Sequence, residues 1–282
     1  MTKEKTKAGS VPEILPPTDD WVFKLLFGDE RNKSMLIDLL QSLVELPKEE
    51  FELTYLDTHL KKEFEDDKLG IVDVKVKTAS GKIINIEIQV NPEKFIGCRI
   101  SFYKSKMVAE QIGEGSRYDL IQKVICILIT SFPLFPDDQE YLNSFRFSNL
   151  KNNLTFEDIP EEIITLEIPK IPEYNDGSTL YDWLHFLKAN RKEDYEMAAE
   201  RNPEIRKAVN TLLRLSNDER VRAEYTARLI AKLDRNSQLH EAREEGRTAE
   251  KLETARRMKN AGRPLNEIEE FTGLSLEEIQ GL

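Results

Sequence analysis

Two short segments of strict alternation, separated by a tight turn, constrain this chain more than any other feature. From Ile71 to Lys77, Val72, Val74 and Val76 alternate with Asp73, Lys75 and Lys77; from Ile84 to Val90, Ile84, Ile86, Ile88 and Val90 alternate with Asn85, Glu87 and Gln89. A period of two belongs to a strand, so each segment puts its polar residues on one face. Ala79-Ser80-Gly81 between them has turn chemistry, and the pair reads as an antiparallel hairpin. If both polar sets share a face, the numbers of paired residues sum to an even value and the loop holds an odd number of residues, most simply the three just named. That register sets Asp73 directly opposite Glu87.

Opposed residues in such a pair have Cβ atoms about 4.5–5.5 Å apart, and like charges there are destabilising. A sheet that keeps two carboxylates in this relation invites a cation. Gln89, two residues beyond Glu87, points to the same side, and the backbone carbonyl of Ile88 lies between them as a further oxygen donor. Hard oxygen ligands of this kind suit a divalent ion used in phosphodiester hydrolysis. The plain alternative for Asp73 and Glu87 is a solvated polar face on an antiparallel hairpin. Asp20, just ahead of an apolar-periodic segment, is either a helix cap or a third acidic ligand.

The rest of the chain divides by composition. Residues 1–17, with charges, Gly9, Ser10 and three prolines, read as a flexible lead, with order beginning near Thr18. Helical spacing follows over Asp20–Phe27 and Asn32–Val44; 53–64 is a weakly alternating strand, and Glu63–Asp67 with Gly70 is a loop. Pro92 to Gly113 returns to helical spacing and sets Arg99, Tyr103 and Lys106 on one face. Lys123–Phe132 is a buried central strand, and Tyr141–Ser148 and Ile163–Ile168 are further strands around the Asn152-Asn153 turn. These elements bound a first domain at 18–176. A helical extension covers 177–237, with helices at Leu180–Ala189, Tyr195–Glu200, Pro203–Leu215 and Asp218–Leu233. Residues 238–282 form a separate charged helix (Gln238–Lys259) and a short two-helix end.

Charge and composition narrow the function. A net charge of −11 excludes nucleic-acid binding through bulk positive potential, so any DNA contact comes from a local patch assisted by metal ions. Cys98 and Cys126 are too far apart for a CxxC pair, and Cys126 lies in an apolar run that buries it; His59, His185 and His240 fit no zinc spacing. No apolar run reaches membrane-spanning length and no signal segment is evident, which predicts a cytoplasmic protein with no membrane partner. The two-helix end imitates a helix-turn-helix, but Glu267, Glu269, Glu270, Glu277 and Glu278 would face phosphates, so it reads as a packing or homo-oligomerisation module.

Asp73 followed by Glu87-Ile88-Gln89 resembles the PD-(D/E)XK signature in the variant of the PD-(D/E)XK nuclease family transposases, or recombination-promoting nucleases. Asp20-Trp21-Val22-Phe23-Lys24-Leu25-Leu26-Phe27-Gly28 is similar to that family's opening helix, and Arg99-Ile100-Ser101-Phe102-Tyr103 to its Arg-x-x-x-Tyr helix. Leu166-Glu167-Ile168-Pro169-Lys170 and Trp183-Leu184-x-Phe186-Leu187-Lys188 also match, so the resemblance spans roughly 18–190.

The resemblance implies an α/β protein with a restriction-endonuclease-like core, a mixed β-sheet flanked by helices, followed here by an all-α C-terminal region. It further implies a Mg2+-dependent DNA endonuclease, with Mn2+ able to substitute, linked to recombination or mobile-element movement. Catalysis would rest on Asp73, Glu87 and Gln89, the metal on Asp73, Glu87, the Ile88 carbonyl and Asp20, and DNA contact on Lys75, Arg99, Tyr103 and Lys106. The superfamily's name specifies a Lys where this chain has Gln89, which carries no charge to stabilise a developing phosphorane. Lys75, Arg99 and Lys106 are the candidates to supply that charge. The competing expectation is an inactive remnant of the fold that binds DNA or protein.

Overall fold

The alternating segments become the second and third strands of a six-stranded mixed sheet in a computed structural model, which describes residues 11–60, 71–156, 158–174 and 176–282. In chain order the elements are α1 (Asp20–Phe27), α2 (Lys33–Leu43), β1 (Thr54–Tyr55), β2 (Val74–Lys77), β3 (Ile83–Gln89), α3 (Ile96–Ala109), β4 (Val124–Thr130), β5 (Leu142–Phe145) and β6 (Glu161–Glu167), then α4 (Thr179–Lys188), α5 (Lys192–Ala198), α6 (Pro203–Asn217), α7 (Glu219–Asn260), α8 (Leu265–Thr272) and α9 (Leu276–Gln280). The strand expected over 53–64 shrinks to β1 plus a single bridge from His59 to Ile71; its last residues and the acidic Glu63–Asp67 loop lie outside the described residues.

The strands run β1-β2-β3-β4-β6-β5, with β3, β4 and β6 parallel and the outer pairs antiparallel. The hairpin register pairs Val74 with Ile86 and Lys77 with Ile83. Continued by one residue, it sets Asp73 opposite Glu87, as the parity of the loop requires. Gly81 sits at φ +94° and Thr78 N–H donates to Lys82 O at 2.8 Å, closing a three-residue loop that places a glycine where a Cβ is strained.

Both faces of this sheet are covered, so the polar residues at its centre are not solvated: Asn85 and Glu87 are each 1 % exposed, while Lys77 at the end of β2 is exposed. On their face, Ile83, Val124, Cys126 and Leu128 pack against Ile100, Tyr103 and Met107 of α3, the crossover helix between β3 and β4. The alternate residues Ile84, Ile86, Ile125 and Ile127 are buried on the other face, where α1 packs on β3 and α2, α4 and α6 pack against one another and, through α2 and α6, on α1. Each such side chain contributes roughly 1.5–3 kcal/mol on burial. Asp38 of α2 ties this layer together, accepting from Trp183 Nε1 and Asn202 Nδ2, both at 2.7 Å.

The contacts therefore divide the chain differently from its composition: 11–221 form one unit, in which α4, α5 and α6 belong with the sheet. Packing also begins before Thr18, since Leu15 is fully buried and its N–H donates to Ser216 Oγ at 3.0 Å. The other unit takes in 222–282. The two helices expected over 218–259 are one helix of 42 residues, because Asp234-Arg235-Asn236-Ser237 lowers helix propensity without a Gly or Pro to end it. Ala255, Ile268, Leu274 and Ile279 form a small core there, and Ser275 and Glu278 make the expected capping box. No helix among the described residues is long and apolar enough to cross a membrane.

Candidate active site

Strand β2 stops at Val74 because Asp73 turns its carboxylate into the ladder. Its Oδ2 accepts the Ile88 N–H at 2.9 Å, while its own N–H donates to Glu87 Oε1 at 3.3 Å. These crossed bonds take the place of strand pairing and hold the two carboxylates together at the C-terminal end of β3, where open α/β sheets place their sites. The side of Ile88 follows from the same ladder. Gln89 O accepts from Ser131 N–H on the β4 side, so the groups of Ile88 face the other way, toward Asp73.

Asn85 adds a third polar group from this face, its Nδ2 donating to Glu87 Oε1 at 3.3 Å. Its Oδ1 is buried and has no hydrogen-bond partner. Sequence reasoning set Asn85 on the polar face but gave it no role, although its position two residues before Glu87 was the signal.

Burial dominates the electrostatics. It pushes the Glu87 carboxyl up to about 7, with the neighbouring Asp73 charge adding to the rise, and Asn85 and Arg99 opposing it. Asp73 is raised as well, again chiefly by burial, with the Ile88 N–H and Lys24 opposing. Two adjacent buried acids that both resist ionisation mark the pair as a candidate functional site.

Positive charge reaches the pair from two helices. Lys24 Nζ of α1 lies 3.1 Å from Asp73 Oδ1, and Arg99 of α3 lies 3.7 Å from Glu87 Oε2 while holding Glu93 at 2.9 Å. Lys24 was missed as a site residue, though it is the one cation in the buried run Val22–Phe27. Asp20 opens α1 but does not cap it. Asp19 is the cap, accepting from the N–H groups of Trp21 and Val22, while Asp20 is exposed and near enough to raise Asp73 by repulsion.

The remaining expected residues separate. Gln89 is half-buried beyond Glu87 on the same face. Lys75 is buried and its ammonium is held by Glu110 at 3.2 Å, away from the carboxylates. Tyr103 is buried under Arg99, whose guanidinium stacks 5.4 Å from its ring, and Lys106 sits at the surface over Phe102.

A family model of PD-(D/E)XK nuclease family transposases matches residues 17–242, a span that holds α1, the hairpin and α3. The chain belongs to this family. Membership in the PD-(D/E)XK transposase family accounts for the mixed sheet flanked by helices and supports a nuclease- or transposase-related function. No curated protein and no solved structure matches the chain.

PD-(D/E)XK nucleases generally use divalent metal ions. The donor set here fits one: two carboxylates joined by crossed bonds, with the Ile88 peptide turned toward them. Among the described residues no cluster of three or more His, Cys, Asp or Glu side chains stands ready for a metal. A Mg2+ site needs no such cluster, since this ion is commonly held by one or two carboxylates together with waters and substrate phosphate.

Proposed function

We propose that this protein is a metal-dependent DNA endonuclease that hydrolyses phosphodiester bonds at the Asp73–Glu87 pair, in the service of recombination or mobile-element movement. The observation that carries the reading is the crossed hydrogen bonding of Asp73 and Glu87, which keeps two buried acids side by side at the C-terminal end of the sheet. Asp73, Glu87 and the Ile88 carbonyl would hold Mg2+, or Mn2+ in its place, with Asp20 at the rim. Such an ion, when bound, supplies Lewis-acid polarisation of a phosphate and a more acidic water.

The chain's own groups do the rest. Gln89 orients the attacking water or the phosphate by hydrogen bonding, and as a neutral amide it leaves charge stabilisation to others. Lys24 supplies that charge, being the ammonium in contact with Asp73, whereas Lys75 is held by Glu110. Arg99 and Lys106 offer phosphate contacts on the helix beside the site, and buried Tyr103 supports Arg99 from beneath. Homo-oligomerisation through α7, α8 and α9 belongs to the same proposal, since cutting both strands calls for two sites, as does a cytoplasmic location.

A second reading has one observation in its favour: Lys24 already occupies Asp73 Oδ1, so a fixed ammonium in place of an ion would make the protein a binding module that has lost its chemistry. Purified protein is incubated with supercoiled plasmid in Mg2+ or Mn2+, beside Asp73→Ala. Nicking by the natural protein that disappears in the variant and in EDTA supports the nuclease, and equal nicking by both overturns it.

A further inference from the structure

One flank of α3 carries a pattern that the carboxylate site does not use. Arg99, Phe102 and Lys106 follow one another at helical spacings of three and four, so they fall on a single flank of α3 beside the buried face of Ile100, Tyr103 and Met107, and Phe95 caps the helix one turn before Arg99. Phe95 is 69 % exposed and Phe102 38 % exposed. Each ring is accompanied by a cation: Lys94 Nζ is 5.2 Å from the Phe95 centroid, and Lys106 Nζ is 5.8 Å from that of Phe102.

Phe95 is also held where an aromatic residue is costly. It caps α3 at φ 66°, ψ 28°, in the left-handed region that residues with a Cβ seldom adopt. Its carbonyl still accepts the Arg99 N–H at 3.1 Å, so the ring is presented one turn below Arg99. Strain of this kind, spent on holding a large apolar ring in solvent, points to a ligand that covers the ring. Arg99 lies between the two phenyl groups and approaches Glu87, so the stripe leads straight to the carboxylate pair.

We infer that this flank of α3 is a stacking platform for single-stranded DNA, and that the substrate enters the Asp73–Glu87 site as an unpaired strand. The inference rests on the nuclease reading for its choice of DNA, and it deepens that reading by naming the form of the substrate. Exposed rings interleaved with Lys and Arg match the π-faces and phosphates of an unpaired strand, while an intact duplex hides its base faces. The net charge of −11 removes bulk attraction, so stacking must carry much of the affinity. With Lys94, Arg99 and Lys106 as the cations, the salt slope is shallow, at most about 2 in log–log terms.

The test is fluorescence anisotropy of the full chain in EDTA, with a labelled oligothymidylate and a blunt duplex as probes. The natural protein is expected to bind the single strand in preference to the duplex. Phe95→Ala/Phe102→Ala is expected to lose roughly tenfold or more in affinity per ring. Phe95→Leu/Phe102→Leu, which keeps apolar bulk and removes the π-face, is expected to stay weak, with an unchanged melting temperature showing that both variants fold. Full affinity in the Ala variant, full affinity in the Leu variant, or a preference for duplex each overturns the platform. Failure of the natural protein to cut either supercoiled plasmid or the oligothymidylate in Mg2+, with ring-dependent binding intact, would sink the nuclease reading and leave the platform standing.

Discussion

Lys24 Nζ stands 3.1 Å from Asp73 Oδ1, joining the first helix of the sheet-bearing unit to the acid that ends β2. The two residues are 49 positions apart, and the contact exists only because α1 packs on β3. It puts an ammonium beside the carboxylate pair in a family member whose Gln89 has no charge of its own.

Removing that ammonium is expected to separate chemistry from folding. Lys24→Met should lower plasmid nicking by about 100- to 1000-fold, the usual effect of losing one charge-stabilising donor, and Lys24→Arg should recover part of it. Lys75→Met should leave nicking largely intact but lower stability by about 1–3 kcal/mol, because it removes a buried, charge-assisted hydrogen bond to Glu110. Nicking rates and urea unfolding of the three variants check both statements; a rate for Lys24→Met equal to that of the natural protein would remove Lys24 from the mechanism.

Glu87 is expected to trade stability for function. At pH 8 its buried charge beside Asp73 is unfavourable, and Glu87→Gln keeps an Oε1 acceptor for Asp73 N–H and Asn85 while removing the charge. The variant should gain on the order of 1–3 kcal/mol in unfolding free energy at pH 8, gain little at pH 5, and lose cleavage. Denaturant midpoints at the two pH values decide it.

The pH dependence has two opposing arms. The Glu87 carboxyl, raised to about 7 from an ordinary 4.5, binds its proton more tightly in the folded state, so its contribution is fully present below about pH 4.5 and is lost as pH rises through about 7. Glu50 is lowered to about 2, so its contribution is present above about pH 4.5 and is lost as pH falls through about 2. Mg2+ should therefore raise the melting temperature at pH 8, where Glu87 is ionised, by the equivalent of about 2.7 kcal/mol at one hundred times Kd, and should have almost no effect at pH 5. Melting curves with and without Mg2+, repeated on Glu87→Gln, would reveal a shift of equal size at both pH values if the ion binds elsewhere.

Glu50 clamps the turn that sets the register. Its Oε2 accepts from Thr78 Oγ1 at 2.8 Å and Ser80 Oγ at 2.7 Å, and its Oε1 meets Lys82 Nζ at 2.5 Å. Glu50→Ala should cost about 1–3 kcal/mol and speed amide exchange at Ser80 and Gly81. Unchanged exchange there would mean that Gly81 and the hairpin ladder hold the turn alone.

How much of this was legible in the sequence depended on the range of the interaction. The hairpin register, the central β4 and most helix ends follow from local periodicity and turn chemistry, and all are present; Asp73 and Glu87 do meet, but through crossed hydrogen bonds just beyond the paired ladder. The crossed bonds of Asp73 were not legible, because alternation gives the side a residue faces but not that its carboxylate displaces the ladder. Lys24 and the Lys75–Glu110 pair depend on packing between distant segments. The single α7 was read as two helices because its apolar residues thin out mid-way, although nothing there ends a helix. Asp19 took the cap expected of Asp20, a difference of one residue that only the backbone angles decide.

The clamped turn between β2 and β3 also limits how this family can vary. A slip of the pairing by one residue would turn Asp73 to the far side of the pleat and destroy the acid pair while leaving every side chain of the site in the gene. A one-residue insertion between Thr78 and Lys82 escapes this only if the turn itself takes up the extra residue, which breaks the Glu50 clamp and moves Gly81 from its place. Relatives that keep both acids but change the length of this loop should therefore have lost the counterparts of Glu50 and Gly81 as well.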